Sequence, residues 1–486
     1  RDGRRDAHLA SVGRRGRRHD SQGRGRRARR RVGGRARSRP RRSRPARAAP
    51  RVPDRRGDRD QDHAGARARR GDHAMSAAPD VTAAPAAKGS HAFAASPIAA
   101  AIAGGRPDCP FMPVQPAPSV MFVRGEGTQL WDSEGRRYLD FLCGVAVTSL
   151  GHAHPAVADA IAAQARTLLH VSSYFAVPAA AEAAVMIDRL VGGGGQVFFC
   201  NSGAEANEAA IKLSRRFGGR GRHVVVSALG SFHGRTLAAL AATGQPAKQE
   251  PFVPMPDGFR HVPYNDAAAL EAALDASVAS VLLEPIQGEG GVVPADPQYL
   301  QAVRRLCDER GILLIFDEVQ TGFARTGRWF GFEHAGVRPD AVTLAKGMGN
   351  GMPIGALWAR KEVAAVFRPG DHGSTFSGTA IATAAALATM RTMVEMDAPA
   401  VAAARGAELA AAVAAIPAVE NVRGKGLLLA AVLRDGRDPK PVVAAALRRG
   451  LVANAVSADA IRLAPPITVS SAEIAEAVAI LAEVLA

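Results

Sequence analysis

Residues 311–323 read GILLIFDEVQTGF, an uninterrupted apolar run that ends in two acidic residues. No polar residue interrupts 312–316, so the segment does not alternate as a half-exposed strand would. Such a run is typical of a strand that is buried on both faces, as in a parallel sheet. It predicts a strand that ends near Asp317, and binding groups in open α/β sheets lie just beyond such strand ends.

Similar apolar segments occur on both sides of this strand and alternate with segments of helical spacing. They are GQVFFC (195–200), RHVVVSA (222–228), SVASVLLE (277–284) and PDAVTLAK (339–346). Strands separated by helices predict an α/β fold with a mostly parallel sheet that is covered on both faces. We therefore expect functional side chains among the residues that follow the strands, namely Asn201–Ala204, Ser231–Arg235, Glu284–Glu289, Asp317–Gln320 and Lys346.

The pattern changes after about Pro369. An alanine-rich helix is predicted over STFSGTAIATAAALATMRTMVEM (374–396), and VENVRGKGLLLAAVL (419–433) predicts paired strands. These segments indicate a smaller α+β domain. We predict four regions, which are a disordered tail (1–74), a mobile segment (75–118), a large domain with an N-terminal arm (119–368) and a small C-terminal domain (369–486).

The net charge of +17 comes from one end of the 486-residue chain. Residues 1–74 hold 27 arginines and eight aspartates without lysine or glutamate, and the remainder is close to neutral. The tail is too poor in large apolar residues to form a core. Three explanations stay open: a nucleic-acid-binding arm, an organelle transit peptide, or upstream sequence attached by a mis-assigned start. We favour the last, because arginine, glycine, alanine and proline all have GC-rich codons.

Several other classes of protein are disfavoured. An apolar strand followed by Asp-Glu also occurs in P-loop ATPases, but the chain has no G-x-x-x-x-G-K-[ST] motif. We predict no metal site, because the cysteines are scattered and His152 and His154 have no third ligand nearby in the sequence. No apolar run is long enough to span a membrane. We expect a cytoplasmic protein that binds neither membranes nor nucleic acid.

An acidic residue at one strand end and a lysine at another could together form a binding site for pyridoxal phosphate. Its aldehyde reacts with a lysine, its ring nitrogen needs an acidic partner, and its phosphate needs amide donors. Lys346 follows Asp317 by one helix-and-strand step. Ser202, Gly203 and Ala204 begin a predicted helix, where free amides bind phosphate. The sequence therefore predicts a pyridoxal phosphate site at these strand ends.

Five long motifs resemble those of class III pyridoxal-phosphate aminotransferases, most closely the acetylornithine aminotransferase group. They are NSGAEANEAAIKLSRR (201–216), SFHGRTLAALAATGQP (231–246), LLEPIQGEGGVVPAD (282–296), LLIFDEVQTGFARTGRWFGFEHAGVRPD (313–340) and LAKGMGNGMPIGA (344–356). The resemblance covers roughly residues 115–486. It implies a fold-type-I large domain with a seven-stranded, mostly parallel sheet, a small α+β C-terminal domain, and a homodimer with shared active sites.

The resemblance also implies roles for single residues around the cofactor. Lys346 resembles the Schiff-base lysine that moves the proton, and Asp317 resembles the partner of the ring nitrogen. Gln320 resembles the hydrogen-bond donor to the ring hydroxyl, and Phe232 the aromatic residue that stacks on the ring. Gly203 and Ala204 resemble the phosphate-binding amides. Thr375 resembles the residue that reaches the phosphate of the neighbouring subunit's cofactor.

Four further residues resemble substrate-binding groups of the family. Arg235 resembles the arginine that holds a substrate carboxylate, and Ser374 resembles a substrate contact. Glu289 and Arg462 resemble a switch pair, whose ion pair is closed for the amino donor and opens so that Arg462 can bind 2-oxoglutarate. An arginine suits this role because it binds carboxylates with two parallel hydrogen bonds.

The resemblance implies N2-acetylornithine as the amino donor. Ornithine aminotransferases of this class have a tyrosine in the stretch that matches residues 142–155, where this chain has Val145 at the corresponding position. A small apolar residue suits an acylated α-amine better than a free ammonium group. Succinyl-diaminopimelate, succinylornithine, ornithine and 4-aminobutyrate remain alternative donors. The chain departs from the family's Gly-Gly-Asn-Pro at SGTAI (377–381), which leaves the backbone beside Thr375 undefined.

Overall fold

The computed structural model describes residues 112–115 and 118–486. The predicted tail and most of the predicted mobile segment lie outside these residues. The strands are β1 (Phe122–Glu126), β2 (Gln129–Asp132), β3 (Arg137–Asp140), β4 (Gly195–Cys200), β5 (Val224–Ala228), β6 (Phe259–Val262), β7 (Val278–Leu283), β8 (Ile286–Gln287), β9 (Val293–Pro294), β10 (Leu313–Asp317), β11 (Ala341–Leu344), β12 (Gly355–Arg360), β13 (Val419–Lys425), β14 (Leu428–Leu433), β15 (Leu451–Val452), β16 (Asn454–Ala455) and β17 (Ala460–Leu463).

The helices lie between these strands and at the C-terminal end of the chain. The longer ones are Pro155–Thr167, Pro178–Val191, Gly203–Gly218, Leu237–Ala242, Ala267–Ala273, Pro297–Arg310, Ala380–Glu395, Ala398–Ala414, Pro439–Arg448 and Ser471–Leu485, and single turns occur at Cys143–Ala146, Pro246–Gln249, Glu250–Phe252, Gly331–Ala335, Lys346–Met348, Lys361–Ala364 and Arg434–Gly436. Within the residues that the structure describes, no helix is both long enough and apolar enough to cross a bilayer.

Seven strands form the central sheet, in the order β4-β12-β11-β10-β7-β5-β6. Strands β11, β10, β7, β5 and β6 are parallel to one another, whereas β12 runs antiparallel to both β11 and β4. All residues of β7, β10 and β11 are buried. The predicted mostly parallel seven-stranded sheet, with its doubly buried central strand, is confirmed.

The register of the central strands brings their ends to one edge of the sheet. Asp317 is paired with Thr343 of β11, and Phe316 is paired with Leu283 of β7. Glu284 directly follows β7, and Lys346 follows β11 after one intervening residue. Three residues that are far apart in sequence therefore leave the sheet side by side, as expected for parallel strands.

Two smaller sheets lie outside the central one. The strands β13-β14-β17-β16 form an antiparallel sheet near the C-terminus, and Ala430 of β14 is paired with Arg462 of β17. The strands β1-β2-β3-β15 form the other sheet, in which β15 is parallel to β3. This pairing was not predicted, because a two-residue strand carries no periodic pattern. The predicted boundary between residues 368 and 369 stays a prediction.

The alanine-rich helix is shorter than predicted. It begins at Ala380, whereas the prediction began at residue 374. Thr379 at its N-cap has a non-helical backbone, and Gly378 adopts a left-handed φ of 63°. Glycine is favoured in that conformation. Residues 374–379 therefore form a loop, and this loop contains two of the predicted site residues.

Arg325 connects the loop after β10 to the C-terminal sheet. Its guanidinium is buried and donates to the carbonyl oxygens of Leu427 (3.3 Å) and Pro465, and to Ser149 Oγ (2.9 Å). Burial lowers the pKa of Arg325 from its usual value. The sheet that carries Arg462 is thus held next to the strand that carries Asp317.

Candidate active site

The carboxyl ends of the central strands surround a cavity of about 370 Å³. This volume is in the range of small-molecule sites. Nine of the twelve predicted site residues line it, namely Ser202, Gly203, Ala204, Phe232, Arg235, Glu289, Asp317, Gln320 and Lys346. The other three, Ser374, Thr375 and Arg462, are not part of its lining. In the described part of the chain, no group of three or more histidine, cysteine or acidic side chains could hold a metal ion.

Asp317 is held rigidly at the end of β10. The residue is 4% exposed, and its Oδ2 accepts hydrogen bonds from Asn207 Nδ2 (2.7 Å) and His233 Nδ1 (2.8 Å). Its Oδ1 accepts from the amide of Val319 (3.0 Å). No arginine or lysine among the described residues forms an ion pair with it. The carboxylate is therefore oriented by neutral donors and one histidine, and its negative charge is available to the cavity.

Lys346 lies just after β11 in a backbone conformation that is uncommon for a residue with a side chain. Its φ is 44°, in the left-handed region, and such positions are enriched at functional sites. Among the described residues its amine has no hydrogen-bond or ion-pair partner. Burial lowers the pKa of Lys346 to about 8, although the charge of Glu289 acts in the opposite direction. A pKa of about 8 leaves roughly a tenth of the amine neutral, and nucleophilic, at pH 7.

The helix Gly203–Gly218 supplies amide donors at the opposite side of the cavity. Ser202 is its N-cap, and its hydroxyl accepts a hydrogen bond from the amide of Glu205 (3.2 Å). The amides of Gly203 and Ala204 belong to the first turn, so they have no acceptor within the helix. Together with the positive end of the helix dipole they form a site suited to a phosphate.

The loop after β5 approaches this helix closely because of one glycine. Gly234 has a φ of 137°, and a Cβ atom there would lie 2.8 Å from the Cβ atom of Ala204. A side chain at this position would push the loop away from the helix N-terminus. Glycine therefore allows the flanking residues Phe232 and Arg235 to line the cavity next to the amide donors.

Two cations lie near the ring of Phe232. Arg235 Cζ is 5.6 Å and Lys248 Nζ is 5.3 Å from the ring centroid. Arg235 is exposed and has no ion-pair partner among the described residues. Burial and the charge of Arg235 together lower the pKa of Lys248. Unpaired positive charge at the mouth of the cavity favours an anionic substrate.

Glu289 and Arg462 form an ion pair at the wall of the cavity. Arg462 Nη1 lies 2.5 Å from Glu289 Oε1 and 3.2 Å from Gln320 Oε1, and its Nε donates to Asn454 (3.1 Å). Burial by itself raises the pKa of Glu289, but the arginine outweighs it and the net pKa lies below the usual value. Arg462 is buried in this closed arrangement, so any group that replaces Glu289 must supply an acceptor.

The loop 374–379 lies outside the cavity lining. Ser374 Oγ accepts a hydrogen bond from Asn201 Nδ2 (2.9 Å), and Thr375 is exposed. The hydroxyl of Ser377 donates to the carbonyl oxygen of Phe199 (2.5 Å) and fixes the loop to the end of β4. This bond anchors the segment that departs from the family's usual sequence. The role of Thr375 toward a second subunit stays a prediction.

Several residues of the cavity lining had no assigned role. Val147 lines the cavity, whereas Val145 is not part of its lining. The match of Val145 to the family's tyrosine position stays a prediction. The lining also contains His233, Glu284 and Val319, which lie within the predicted strand-end segments, and Asn207, which does not. Asn207 and His233 orient Asp317. A polar residue on the buried face of an apolar helix was the signal available for Asn207.

These groups fit pyridoxal phosphate. The cavity brings together a lysine amine without a partner, a buried carboxylate held by three hydrogen-bond donors, and a helix N-terminus with two free amides. The aromatic face of Phe232 and the side chain of Val319 complete the walls. We expect Lys346 to bind the aldehyde carbon, Asp317 the ring nitrogen, and residues 202–204 the phosphate.

Several known proteins are similar to this chain in sequence and in structure. The family model for aminotransferase class-III matches residues 112–485. The chain is 51% identical to the acetylornithine aminotransferase of Gloeobacter violaceus, over 76% of this chain and 94% of that protein. It is 34% identical to the solved N-acetylornithine aminotransferase from Stenotrophomonas maltophilia, with a TM-score of 0.66 and coverage of 75% and 95%.

The fold is also similar to a structure of the ornithine aminotransferase from Toxoplasma gondii, which has partial occupancy of PLP at its active site. The TM-score is 0.72 and the identity is 33%, and the match covers 75% of this chain and 90% of that chain. The family model spans almost all of the described residues, and the curated relative is covered nearly completely. The chain therefore belongs to the class III aminotransferases.

Proposed function

We propose that the protein moves the terminal amino group between N2-acetylornithine and 2-oxoglutarate, with pyridoxal phosphate as the cofactor. The other compounds in the exchange are N-acetylglutamate 5-semialdehyde and glutamate, as in arginine biosynthesis. The observation that carries the proposal is the Glu289–Arg462 ion pair at the wall of the cavity that also contains Lys346 and Asp317. The acetylornithine aminotransferases similar to this chain support the choice of donor.

The cofactor would supply an aldehyde that exchanges amines and a ring that withdraws electrons. Asp317 keeps a negative charge at the end of β10, which favours a protonated ring nitrogen. The amides of Gly203 and Ala204 would hold the phosphate, and Phe232 and Val319 would enclose the ring. Gln320 would donate to the ring hydroxyl through its amide nitrogen, since its oxygen accepts from Arg462.

Lys346 acts as the general base and then as the general acid. Its amine would take a proton from the substrate carbon that bears the amino group and would later give that proton back. A pKa near neutrality suits both steps, because the amine must accept and release the proton at the same pH. The surrounding apolar walls keep bulk water away from the amine.

The two substrates use different cations of one site. Arg235 holds the carboxylate of the acylated donor at the mouth of the cavity, and Ser374 contacts that substrate. The Glu289–Arg462 pair stays closed while the donor is bound. 2-Oxoglutarate has a second carboxylate, which displaces Glu289 and takes its place on Arg462. The buried guanidinium therefore keeps a hydrogen-bond acceptor throughout.

The wall at Val147, together with Val145 at the position that matches the tyrosine of ornithine aminotransferases, favours an acylated α-amine over a free ammonium group. It offers no hydroxyl or carboxylate acceptor, and an ammonium group that is buried without one is destabilised. Succinyl-diaminopimelate and succinylornithine share the acylated amine and remain alternatives, whereas ornithine fits this wall less well. 4-Aminobutyrate has no α-amine, so this wall does not discriminate against it. We further propose a cytoplasmic homodimer, in which Thr375 of each subunit reaches the phosphate bound by the other.

A donor panel tests the proposed substrate. With 2-oxoglutarate as the acceptor, we expect kcat/KM for N2-acetylornithine to exceed that for ornithine by about tenfold or more, since one unsatisfied buried charge costs at least about 1.4 kcal/mol. Glutamate formation is measured for acetylornithine, succinylornithine, succinyl-diaminopimelate, ornithine and 4-aminobutyrate. A preference for ornithine or 4-aminobutyrate would contradict the proposal.

Replacing Arg235 with alanine is expected to raise KM for acetylornithine by roughly 10- to 100-fold with a smaller change in kcat. The guanidinium has no partner among the described residues, so its removal takes away substrate binding and no internal ion pair. The matched variant Arg235→Lys keeps the charge and loses the planar fork, and we expect an intermediate KM. Steady-state kinetics with both variants check this, and an unchanged KM in Arg235→Ala would refute the carboxylate role.

A further inference from the structure

Glu284 is a buried acid at the cavity that the proposed chemistry does not use. It follows β7, lines the cavity and is 6% exposed. Its Oε2 accepts a hydrogen bond from the amide of Phe232 (2.9 Å), and its Oε1 accepts from the amide of Gly288 (3.1 Å). The hydroxyl of Tyr264 donates to its backbone carbonyl oxygen (2.6 Å). Two amides therefore fix the side chain, and Tyr264 fixes the backbone that carries it.

The two amides that Glu284 binds belong to different functional loops. Phe232 provides the aromatic wall proposed to cover the cofactor ring. Gly288 directly precedes Glu289, which pairs with Arg462. One carboxylate thus spans the cofactor loop and the substrate-switch loop, with one oxygen on each. A displacement of either loop changes the geometry of the acid that holds the other.

We propose that Glu284 is a positioning residue that couples the cofactor loop at Phe232 to the substrate-switch loop at Glu289. This inference rests on the proposed function, since it assigns those two loops to a cofactor and to a dicarboxylate. The inference predicts that loss of one acceptor oxygen of Glu284 weakens the binding of both the cofactor and the dicarboxylate. A residue with only a local structural role would not link them.

Only a carboxylate side chain satisfies both amides. Each bond needs an acceptor oxygen, and a carboxamide has one oxygen and one NH₂ donor, so Glu284→Gln turns one of the two contacts into a repulsion between donors. The buried amide left without an acceptor is destabilised. The charge of Glu284 interacts with Asp317, His233, Lys346, Lys248 and Tyr264. None of these side chains donates a hydrogen bond to its carboxylate, which accepts from two backbone amides.

Glu318 provides a matched control within the same sheet edge. It is also a buried acid directly after a strand, and it accepts from the amides of Gly331 (2.9 Å) and Phe332 (2.8 Å). It does not line the cavity. Burial raises the pKa of both acids to about 7. Glu318→Gln therefore makes the same chemical change away from both loops.

The experiment compares wild type, Glu284→Gln and Glu318→Gln in two binding measurements. Pyridoxal phosphate is titrated into dialysed protein, and glutarate, an unreactive dicarboxylate, is titrated into the cofactor-loaded protein, both followed by cofactor absorbance. We expect Glu284→Gln to weaken both affinities by about tenfold or more, and Glu318→Gln to change each by less than about threefold while lowering Tm. Glu284→Asp is the second variant, to be used if Glu284→Gln folds poorly. Its shorter side chain cannot reach both amides, so we expect it to weaken both affinities as well.

Three results would overturn the inference. They are unchanged affinities in both Glu284 variants, a loss confined to one ligand, and equal losses in Glu318→Gln. Neither measurement needs turnover. A wild type that binds both ligands and does not use acetylornithine would refute the proposed donor while leaving this inference intact.

Discussion

Replacing Lys346 with alanine is expected to lower the transamination rate by at least about 10³-fold and to remove the long-wavelength absorbance of the bound cofactor. Lys346 is the one lysine that lines the described cavity, and burial already lowers its pKa to about 8. No neighbouring amine in that lining could take over its nucleophilic and proton-transfer roles. The cavity itself should survive, because the Lys346 amine has no partner among the described residues that would be left unsatisfied.

The measurement combines steady-state kinetics with an absorbance spectrum of protein after gel filtration. Borohydride reduction of the wild type should attach one cofactor to the peptide that contains Lys346, as detected by mass spectrometry. Lys361→Ala is a suitable control, because Lys361 is exposed and follows β12 away from the cavity. A variant at Lys346 that keeps the absorbance band would refute the assignment.

The parts of this site that the sequence predicted are those fixed by the ends of strands. Asp317 and Lys346 each follow an apolar run, and the register of parallel strands puts such residues at one edge whatever the intervening helices do. The helix N-terminus at Ser202 was predictable for the same reason. Local pattern and topology together determined these positions.

Other features depend on tertiary contacts that have no local pattern. The antiparallel strand β12 separates β4 from β11, and β15 pairs with a strand more than 300 residues earlier. Asn207 and His233 meet at Asp317 because a helix and a loop from different parts of the chain pack over the same strand end. Residues 143–146, just before Val147, all have a left-handed φ, and the sequence does not predict this because three of the four are not glycine.

The position of Arg462 shows how sequence similarity and tertiary structure together identify a site residue. Sequence similarity suggested a pair with Glu289, and the structure explains how residues 173 positions apart meet. Arg325 ties the C-terminal sheet to the loop after β10, and that sheet presents Arg462 toward Gln320 and Glu289. The central sheet and the C-terminal sheet thus each contribute one member of the proposed switch.

Replacing Asp317 with asparagine is expected to lower kcat by at least about 10²-fold, the range for loss of one preorganised electrostatic group at an active site. The change removes the negative charge and keeps the side-chain volume. It also puts an NH₂ group among three donors, since Asn207, His233 and Val319 all donate to the present carboxylate. One of these donors must then face another donor in a buried site.

Two measurements separate the loss of charge from simple destabilisation. Cofactor affinity should fall together with kcat, because the proposed partner of Asp317 is the protonated ring nitrogen, and thermal unfolding reports the structural cost. The neighbouring Glu318→Gln is the matched control, since this acid is also buried and has its own amide donors away from the cavity. We expect that control to lose stability and to retain kcat within about threefold. The proposal would be contradicted if Asp317→Asn kept a kcat near the wild-type value and a normal cofactor affinity. The carboxylate would then be a structural cap at the end of β10, and the electron-withdrawing form of the ring would not depend on it.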